Sequence, residues 1–207
     1  MASTRRIGAE GSKNRALLLD ATEQVMLDQG YAAATSRRVA AQAGLKPQLV
    51  HYYFRTMDDL FLAVFRRRAE MGLERQAEAL ASPQPLRALW EFSNDASGTA
   101  LTMEFTALAG HRKAIRSEIG EYGEKFRIRA TETITRVLTD RAIDPDDLPP
   151  EVLLVLMTSV SRVLVMEDGL GMSVGHAQTR AMIERWLTRL EGPPGTGSAA
   201  LEAGQAG

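Results

Sequence analysis

The segment TSRRVAAQAGLKPQLVHYYF, residues 35–54, indicates the fold of the N-terminal part of the chain. Thr35 or Ser36 can cap a short helix, and Gly44 can adopt the positive φ of a tight turn. Pro47 then suits the first position of a second short helix. Two short helices joined by a glycine-containing turn are typical of a helix-turn-helix, whose second helix enters the major groove of DNA.

The second short helix ends in four consecutive ring-bearing side chains, residues 51–54. On a recognition helix, Gln48 can form a bidentate pair with adenine, and Leu49 can contact a thymine methyl group. Histidine and tyrosine side chains can donate hydrogen bonds to phosphates or bases. Tyr53 and Phe54 are expected to lie on the other side of the helix and anchor it in the core. The candidate DNA-binding residues are therefore Thr35, Arg37, Lys46, Gln48, Leu49, His51 and Tyr52.

Helical periodicity extends over most of the remaining chain, and strand-like alternation is scarce. Ser12 is a candidate N-cap for a helix over about 13–29, and Thr56 with Asp59 resembles a capping box that starts a fourth helix. Pro85 can open the next helix, and Gly98 is expected to separate it from another. The last predicted helices cover about 113–141, 151–167 and 176–191. We predict an all-α fold of about nine helices, in which a three-helix helix-turn-helix domain precedes an antiparallel helical bundle.

Charge and composition restrict the classes of protein. The 207 residues have a formal net charge of −1, but residues 1–70 carry eleven basic and seven acidic side chains. This asymmetry favours a polyanionic partner at one end, and a chance fluctuation of charge explains it equally well. The chain contains no cysteine, and its longest apolar run, residues 152–157, is too short to span a bilayer. We expect a cytoplasmic protein without a membrane partner.

Signals of catalysis are weak. The three histidines are scattered, and none has the i,i+4 partner that is typical of a metal site. No glycine-rich phosphate loop follows a strand, and no GxSxG motif occurs. We expect that the protein is not an enzyme and that it needs neither a cofactor nor a metal.

Residues 30–61 resemble the DNA-binding domain of the tetracycline-repressor (TetR) family of transcription regulators. The chain departs from the family pattern at residues 46–49, where Lys-Pro-Gln-Leu replaces Ser-x-Gly-Thr. His51 stands where tyrosine is usual, and Met57 stands where lysine is usual. The elements that carry the resemblance are Gly30-Tyr31, Thr35, Val39-Ala40, Ala43-Gly44-Leu45, Tyr53-Phe54 and the Thr56-x-x-Asp59-Leu60 start of the fourth helix.

The resemblance implies a ligand-responsive regulator that binds double-stranded, pseudopalindromic operator DNA as a homodimer. It favours a repressor that a small, largely apolar effector releases. An activator, or a helix-turn-helix protein that acts through a protein partner, is the alternative. On this interpretation the chain contains a flexible basic arm (1–11), a helix-turn-helix DNA-binding domain (12–56), a ligand-binding and dimerisation domain (57–191) and a disordered tail (192–207).

Methionine and aromatic residues are frequent in the predicted bundle. Adaptable thioethers and flat rings suit an apolar cavity between helices. Glu104, Arg112 and Arg129 are candidates for a polar contact with the same ligand. Helices 151–167 and 176–191 carry more apolar surface than one bundle covers, and the resemblance implies a four-helix dimer interface from two copies of each. The candidate ligand-binding residues are Trp90, Met103, Phe105, Tyr122, Phe126 and Met157.

Overall fold

The computed structural model of the protein describes residues 12–195. Over this range the chain forms nine α-helices and a short 3-10 turn, Tyr31–Ala33, with no strand, so the all-α prediction is confirmed. The predicted basic arm and residues 196–207 of the predicted tail lie outside the described residues. The helices are α1 (Lys13–Gln29), α2 (Ser36–Gln42), α3 (Pro47–Tyr53), α4 (Met57–Leu80), α5 (Pro85–Ser93), α6 (Ala96–Ala109), α7 (Lys113–Thr139), α8 (Pro150–Gly169) and α9 (His176–Glu191).

The chain divides into two compact units. The first unit runs to Gly72 and also takes Ala100–Glu124, and the second takes Leu73–Thr99 and the chain from Lys125 onward. The unit boundaries therefore fall inside three helices, α4, α6 and α7. The predicted boundary between residues 56 and 57 separates the DNA-binding domain from the ligand-binding domain by function. It does not coincide with the boundaries of the compact units, and it stays a prediction.

The first unit has its own apolar core, to which α1, α2, α3, α4, α6 and α7 all contribute. Local capping sets the helix starts. The Thr35 hydroxyl accepts the Arg38 N–H at 3.3 Å at the start of α2. The predicted capping box of α4 is confirmed, because the Thr56 N–H donates to the Asp59 carboxylate at 3.0 Å and the Asp59 N–H donates to the Thr56 hydroxyl at 3.1 Å. Gly44 has the expected positive φ of 66° between α2 and α3.

Of two local predictions, the one for Ser12 is confirmed in position and the one for Gly98 is wrong. Ser12 occupies the N-cap position of α1, but its hydroxyl hydrogen-bonds the Tyr53 hydroxyl at 2.7 Å and caps no backbone N–H. Gly98 does not separate two helices, because it lies in the first turn of α6. Asp95 starts that helix, since its carboxylate accepts the Gly98 N–H at 3.2 Å. The Ser12 hydroxyl therefore binds a distant side chain in place of the backbone of its own helix. Asp95 starts α6 three residues before Gly98, so this glycine is part of the helix.

The three consecutive arginines of α4 all pair with carboxylates, although Arg66 remains exposed. Arg66 donates to the Glu118 carboxylate on α7 at 3.0 Å, and this hydrogen bond raises its pKa. Arg67 pairs with Asp20 at 2.6 Å and with Glu23, both on α1. Arg68 also reaches Glu23, at 3.5 Å. These arginines connect α4 to α1 and α7 inside the first unit.

A second apolar core joins α5, α7, α8 and α9 in the second unit. The carboxylate of Glu191, the last residue of α9, accepts the N–H groups of Leu86 and Arg87 at 2.7 and 3.0 Å. It thereby satisfies two of the free donors at the start of α5. The Gln84 side chain adds a hydrogen bond to the Pro193 carbonyl at 2.8 Å. The end of α9 thus caps a helix about a hundred residues earlier in the chain.

Arg87 is a buried cation whose main partner is partly exposed. Its guanidinium donates to Glu184 at 2.5 Å, and the exposed fractions of the two side chains are 6% and 47%. The Arg87 Nε is buried and has no hydrogen-bond partner among the described residues. Removal of Glu184 would leave this cation buried without its counter-ion.

Glu184→Ala is therefore expected to lower the free energy of unfolding by about 2 kcal/mol, below the 3–5 typical of breaking a fully buried pair. Arg87→Met, which removes the charge itself, is expected to cost less. Urea titration of both variants measures the difference. The matched control is Glu132→Ala at an exposed position of α7. A larger loss for Arg87→Met than for Glu184→Ala would contradict this account.

Among the described helices, none is long and apolar enough to cross a membrane.

Candidate nucleic-acid interface

The exposed side of α3 carries three of the predicted DNA-binding residues. Gln48, His51 and Tyr52 follow the spacing i, i+3, i+4, so their side chains leave the same side of the helix. All three are exposed, and Tyr52 retains 53% of its accessible surface although it is a large ring. A short helix with polar and aromatic groups aimed at solvent can present hydrogen-bond donors, acceptors and flat surfaces to a groove.

The other predicted DNA-binding residues lie at or near the starts of α2 and α3. Thr35 is exposed, and its hydroxyl already accepts the Arg38 N–H, so it retains one proton to donate. Arg37 and Lys46 are exposed, whereas Leu49 is half-buried. The structure thus brings six exposed candidates and one half-buried candidate to two adjacent short helices, and their contact with DNA stays a prediction.

The cations of this region differ from those of α4. Arg37, Arg38, Lys46 and Arg55 are exposed, and within residues 12–195 none of them forms an ion pair. The α4 arginines, in contrast, are neutralised by carboxylates of the same unit. Cations without a counter-ion are the ones that can neutralise phosphates and release condensed counter-ions.

The opposite side of α3 is fixed by contacts that the sequence shows only in part. Phe54 is buried in the core of the first unit and Tyr53 is half-buried against it, as expected, and Val50 is buried with them. The Tyr53 hydroxyl also bonds Ser12 at 2.7 Å. Arg15 lies over the Phe54 ring at 5.3 Å, a cation–π contact that sequence reasoning missed. Both additional partners come from the first turn of α1, some forty residues away, so no local pattern points to them.

The six predicted ligand-binding residues are distributed over the two units. Met103, Phe105 and Tyr122 belong to the first unit, and Trp90, Phe126 and Met157 belong to the second. These assignments therefore stay predictions.

In the first unit Phe105 is a core residue, whose ring meets Phe65 edge to face at 5.3 Å. The Tyr122 and Phe65 rings also meet edge to face, with centroids 5.7 Å apart. Burial, with the nearby Glu70 carboxylate, raises the pKa of the Tyr122 phenol. Met103 is largely exposed. Of the residues proposed as polar contacts, Arg112 pairs with Asp58 at 3.0 Å.

In the second unit Phe126 stacks on Phe92 with ring centroids 6.3 Å apart, and Arg75 lies over Phe92 at 5.6 Å. Gln76 is buried beside this pair and donates to the Phe126 carbonyl at 3.0 Å. Two open surface depressions of about 320 and 330 Å³ also occur in this unit, and none of the six candidates lines them. Among the described residues no group of three potential ligands is arranged to hold a metal ion.

An apolar stripe runs along the exposed side of α8. Its residues are between 39% and 48% exposed, and their spacing follows the helical repeat. The exposed face of α9 adds Met182 and Trp186. The α8 stripe consists of Val152, Val155, Leu156, Val163 and Met166.

His176, the first residue of α9, connects this helix to the last turn of α8. Its Nδ1 lies 2.8 Å from the Asp168 carboxylate, and its Nε2 lies 2.8 Å from the Glu167 carboxylate. Ionised carboxylates only accept hydrogen bonds, so both ring nitrogens must carry protons. Arg180 donates to the other oxygen of Asp168 at 2.8 Å. The hydrogen bond to Glu167, followed by that to Asp168, raises the pKa of His176.

This arrangement predicts a pH-dependent stability. Because the pKa of His176 is raised in the folded state, its contribution is complete below the ordinary histidine pKa, about 6.5, and is lost as the pH rises through the raised value. The difference in melting temperature between the natural protein and His176→Gln is expected to be large at pH 6 and to shrink by pH 9. Thermal melts of both measure it, with His111→Gln, at an exposed loop residue, as the control. An equal difference at both pH values would refute the imidazolium assignment.

Comparisons with known proteins agree with a helix-turn-helix in the N-terminal part of the chain. Residues 18–64, which contain α2, α3 and the start of α4, match the family described as bacterial regulatory proteins, tetR family. The HTH-type transcriptional regulator BetI of Rhizobium meliloti (strain 1021) is 38% identical over 61 residues, which is 30% of each chain. The HTH-type transcriptional regulator PksA of Bacillus subtilis (strain 168) is 30% identical over 110 residues, which is 49% of this chain and 54% of PksA. The match thus spans about a third to a half of the length of these relatives.

A solved transcriptional regulator from Saccharomonospora viridis, crystallised in complex with choline, has a similar fold. The TM-score is 0.69 at 18% identity, and the alignment covers 80% of this chain and 92% of that one. At this identity the likeness extends to the helical fold and not to the ligand.

Proposed function

We propose that the protein is a transcriptional regulator of the tetR family, whose model its residues 18–64 match, and that it is a ligand-responsive repressor that reads a pseudopalindromic operator with α3. The observation that carries this proposal is the exposed side of α3 with Gln48, His51 and Tyr52, in a region whose cations form no ion pair within residues 12–195. Gln48 provides an amide that can pair with adenine, and Tyr52 provides a hydroxyl on a rigid ring. Lys46 and Arg37 provide charge for phosphates.

Dimerisation through α8 and α9 completes the proposal. The apolar stripe of α8 and the exposed Met182 and Trp186 of α9 would be covered when two copies meet around a two-fold axis. A dimer of helix-turn-helix proteins places its recognition helices on half-sites about 34–36 Å apart, one turn of DNA. Two half-sites read together give the affinity that one seven-residue helix lacks.

An effector can release the protein from its operator only through different affinities for two states of the dimer. A small, largely apolar molecule can shift the dimer only if it binds one spacing of the recognition helices better than the other. Support for a coupling element comes from α4, which follows α3 after a three-residue connection and contributes residues to both compact units. The aromatic and methionine side chains of the body, such as the stacked Phe92 and Phe126, support an apolar effector.

The test of this function is selection of DNA by the purified protein from a random duplex library. We expect an enriched sequence with two inverted half-sites, bound at least about 1,000-fold more tightly than random duplex at 150 mM salt. Titration at several salt concentrations measures how much of the binding free energy comes from contacts with phosphates. Enrichment of no sequence would reject the function. A reporter gene under the selected sequence, with and without the protein, distinguishes repression from activation.

A further inference from the structure

A long-range hydrogen bond joins α6 to the connection between α1 and α2. The Glu104 carboxylate Oε2 accepts the backbone N–H of Tyr31 at 2.6 Å, across 73 positions of sequence. Both residues belong to the first unit and both are half-buried. The sequence offers Glu104 as a candidate for contact with an effector, which stays a prediction, and in the structure its carboxylate accepts a backbone N–H.

The bond lies where the chain leaves α1. Gly30 ends that helix with φ 81°, and its N–H still donates to Met26 O at 3.0 Å. Tyr31 follows, at the start of the 3-10 turn, where no earlier carbonyl of the helix is in place for its N–H. A carboxylate is a strong acceptor for a backbone N–H at such a position because the hydrogen bond is charge-assisted.

Fixing Tyr31 fixes the start of α2. The Ala34 N–H donates to Tyr31 O at 3.1 Å, and the Thr35 N–H donates to Ala33 O at 2.8 Å. Thr35 is in turn the N-cap of α2. The Glu104 bond therefore holds the first residue of a short hydrogen-bonded turn, residues 31–35, that leads directly into α2.

We propose that Glu104 is a positioning residue, which sets the α1–α2 connection from α6 and so places the helix-turn-helix for DNA recognition. This inference rests on the proposed DNA-binding function. Glu104 touches no base in this scheme, and its effect reaches the DNA through the backbone of residues 31–36. Movement of α6 would then change the placement of α2 and α3.

Two substitutions at this position separate placement from simple loss of stability. Glu104→Ala removes the acceptor, and Glu104→Gln keeps an acceptor oxygen without the charge. The matched control is Glu124→Ala, at an exposed position of α7. Amide hydrogen exchange of residues 31–43 is measured by NMR, together with melting temperature and the affinities for selected and random duplex DNA.

We expect Glu104→Ala to speed exchange at Tyr31 and in α2 about tenfold and to lower the ratio of specific to random DNA affinity about tenfold, with Glu104→Gln intermediate and Glu124→Ala unchanged. Unchanged exchange at residues 31–43 overturns the inference. So does a lower melting temperature with an unchanged affinity ratio well below that temperature, because the role is then only structural. If the natural protein selects no DNA sequence, the proposed function fails, and the exchange data still decide whether Glu104 fixes the α1–α2 connection.

Discussion

Joint replacement of Gln48 and Tyr52 by alanine is expected to lower the affinity for selected operator DNA by about 100-fold or more, because each specific base contact contributes about 1–3 kcal/mol. The fold should not change, since both side chains are exposed and neither is part of the core. Binding to random duplex should fall much less, because the cations that neutralise phosphates remain in place.

Fluorescence anisotropy with the selected duplex and with a scrambled duplex measures both affinities. Gln24→Ala, at an exposed position of α1, is a control that should leave both unchanged. Lys46→Ala gives a different pattern, because loss of one phosphate contact should weaken binding to all sequences and reduce the salt slope by about 1. If the double variant binds the selected duplex with natural affinity, α3 is not the reading helix.

Val163→Glu is expected to convert the proposed dimer into a monomer. Val163 lies on the exposed apolar stripe of α8, and a two-fold axis places the new carboxylate in the interface twice. If each unpaired charge costs about 2 kcal/mol or more, the dissociation constant rises by about 1,000-fold or more. The monomer should then lose most of its operator affinity, because two half-sites can no longer be read together.

Sedimentation velocity at micromolar concentration measures the oligomeric state. Ile128→Glu makes the same change at an exposed apolar residue of α7, outside the stripe, and should leave the dimer intact. If the Val163→Glu variant remains a dimer, the dimer interface does not include the α8 stripe. A natural protein that is monomeric throughout the concentration range would reject the dimer itself.

The helix order was predictable because its signals are local. Gly44 and Pro47 mark the turn and the start of α3, and the Thr56–Asp59 pair marks the start of α4 within four residues. The exposure of Gln48 and Tyr52 and the burial of Phe54 follow from the helical repeat. Such features need no knowledge of distant parts of the chain.

The tertiary partners were not predictable, because the residues concerned have more than one local use. Ser12 lies at the N-cap position of α1, but its hydroxyl forms a hydrogen bond with the Tyr53 hydroxyl. Glu104 suits a pocket as well as a backbone N–H, and only the fold selects the second. The candidate ligand-binding residues are all aromatic or methionine, but they are divided between the two compact units. Periodicity identifies the apolar face of each helix, and it does not indicate which faces pack against one another.

The contact of Glu191 with the start of α5 has a consequence for the order of folding during synthesis. The chain emerges from the ribosome N-terminus first. All residues of the first unit are present once residue 124 has emerged. The N–H groups of Leu86 and Arg87, in contrast, wait for an acceptor until the end of α9 has been made. The first unit, which contains the proposed DNA-binding helices, can therefore complete its core before the second unit receives the hydrogen bonds from Glu191.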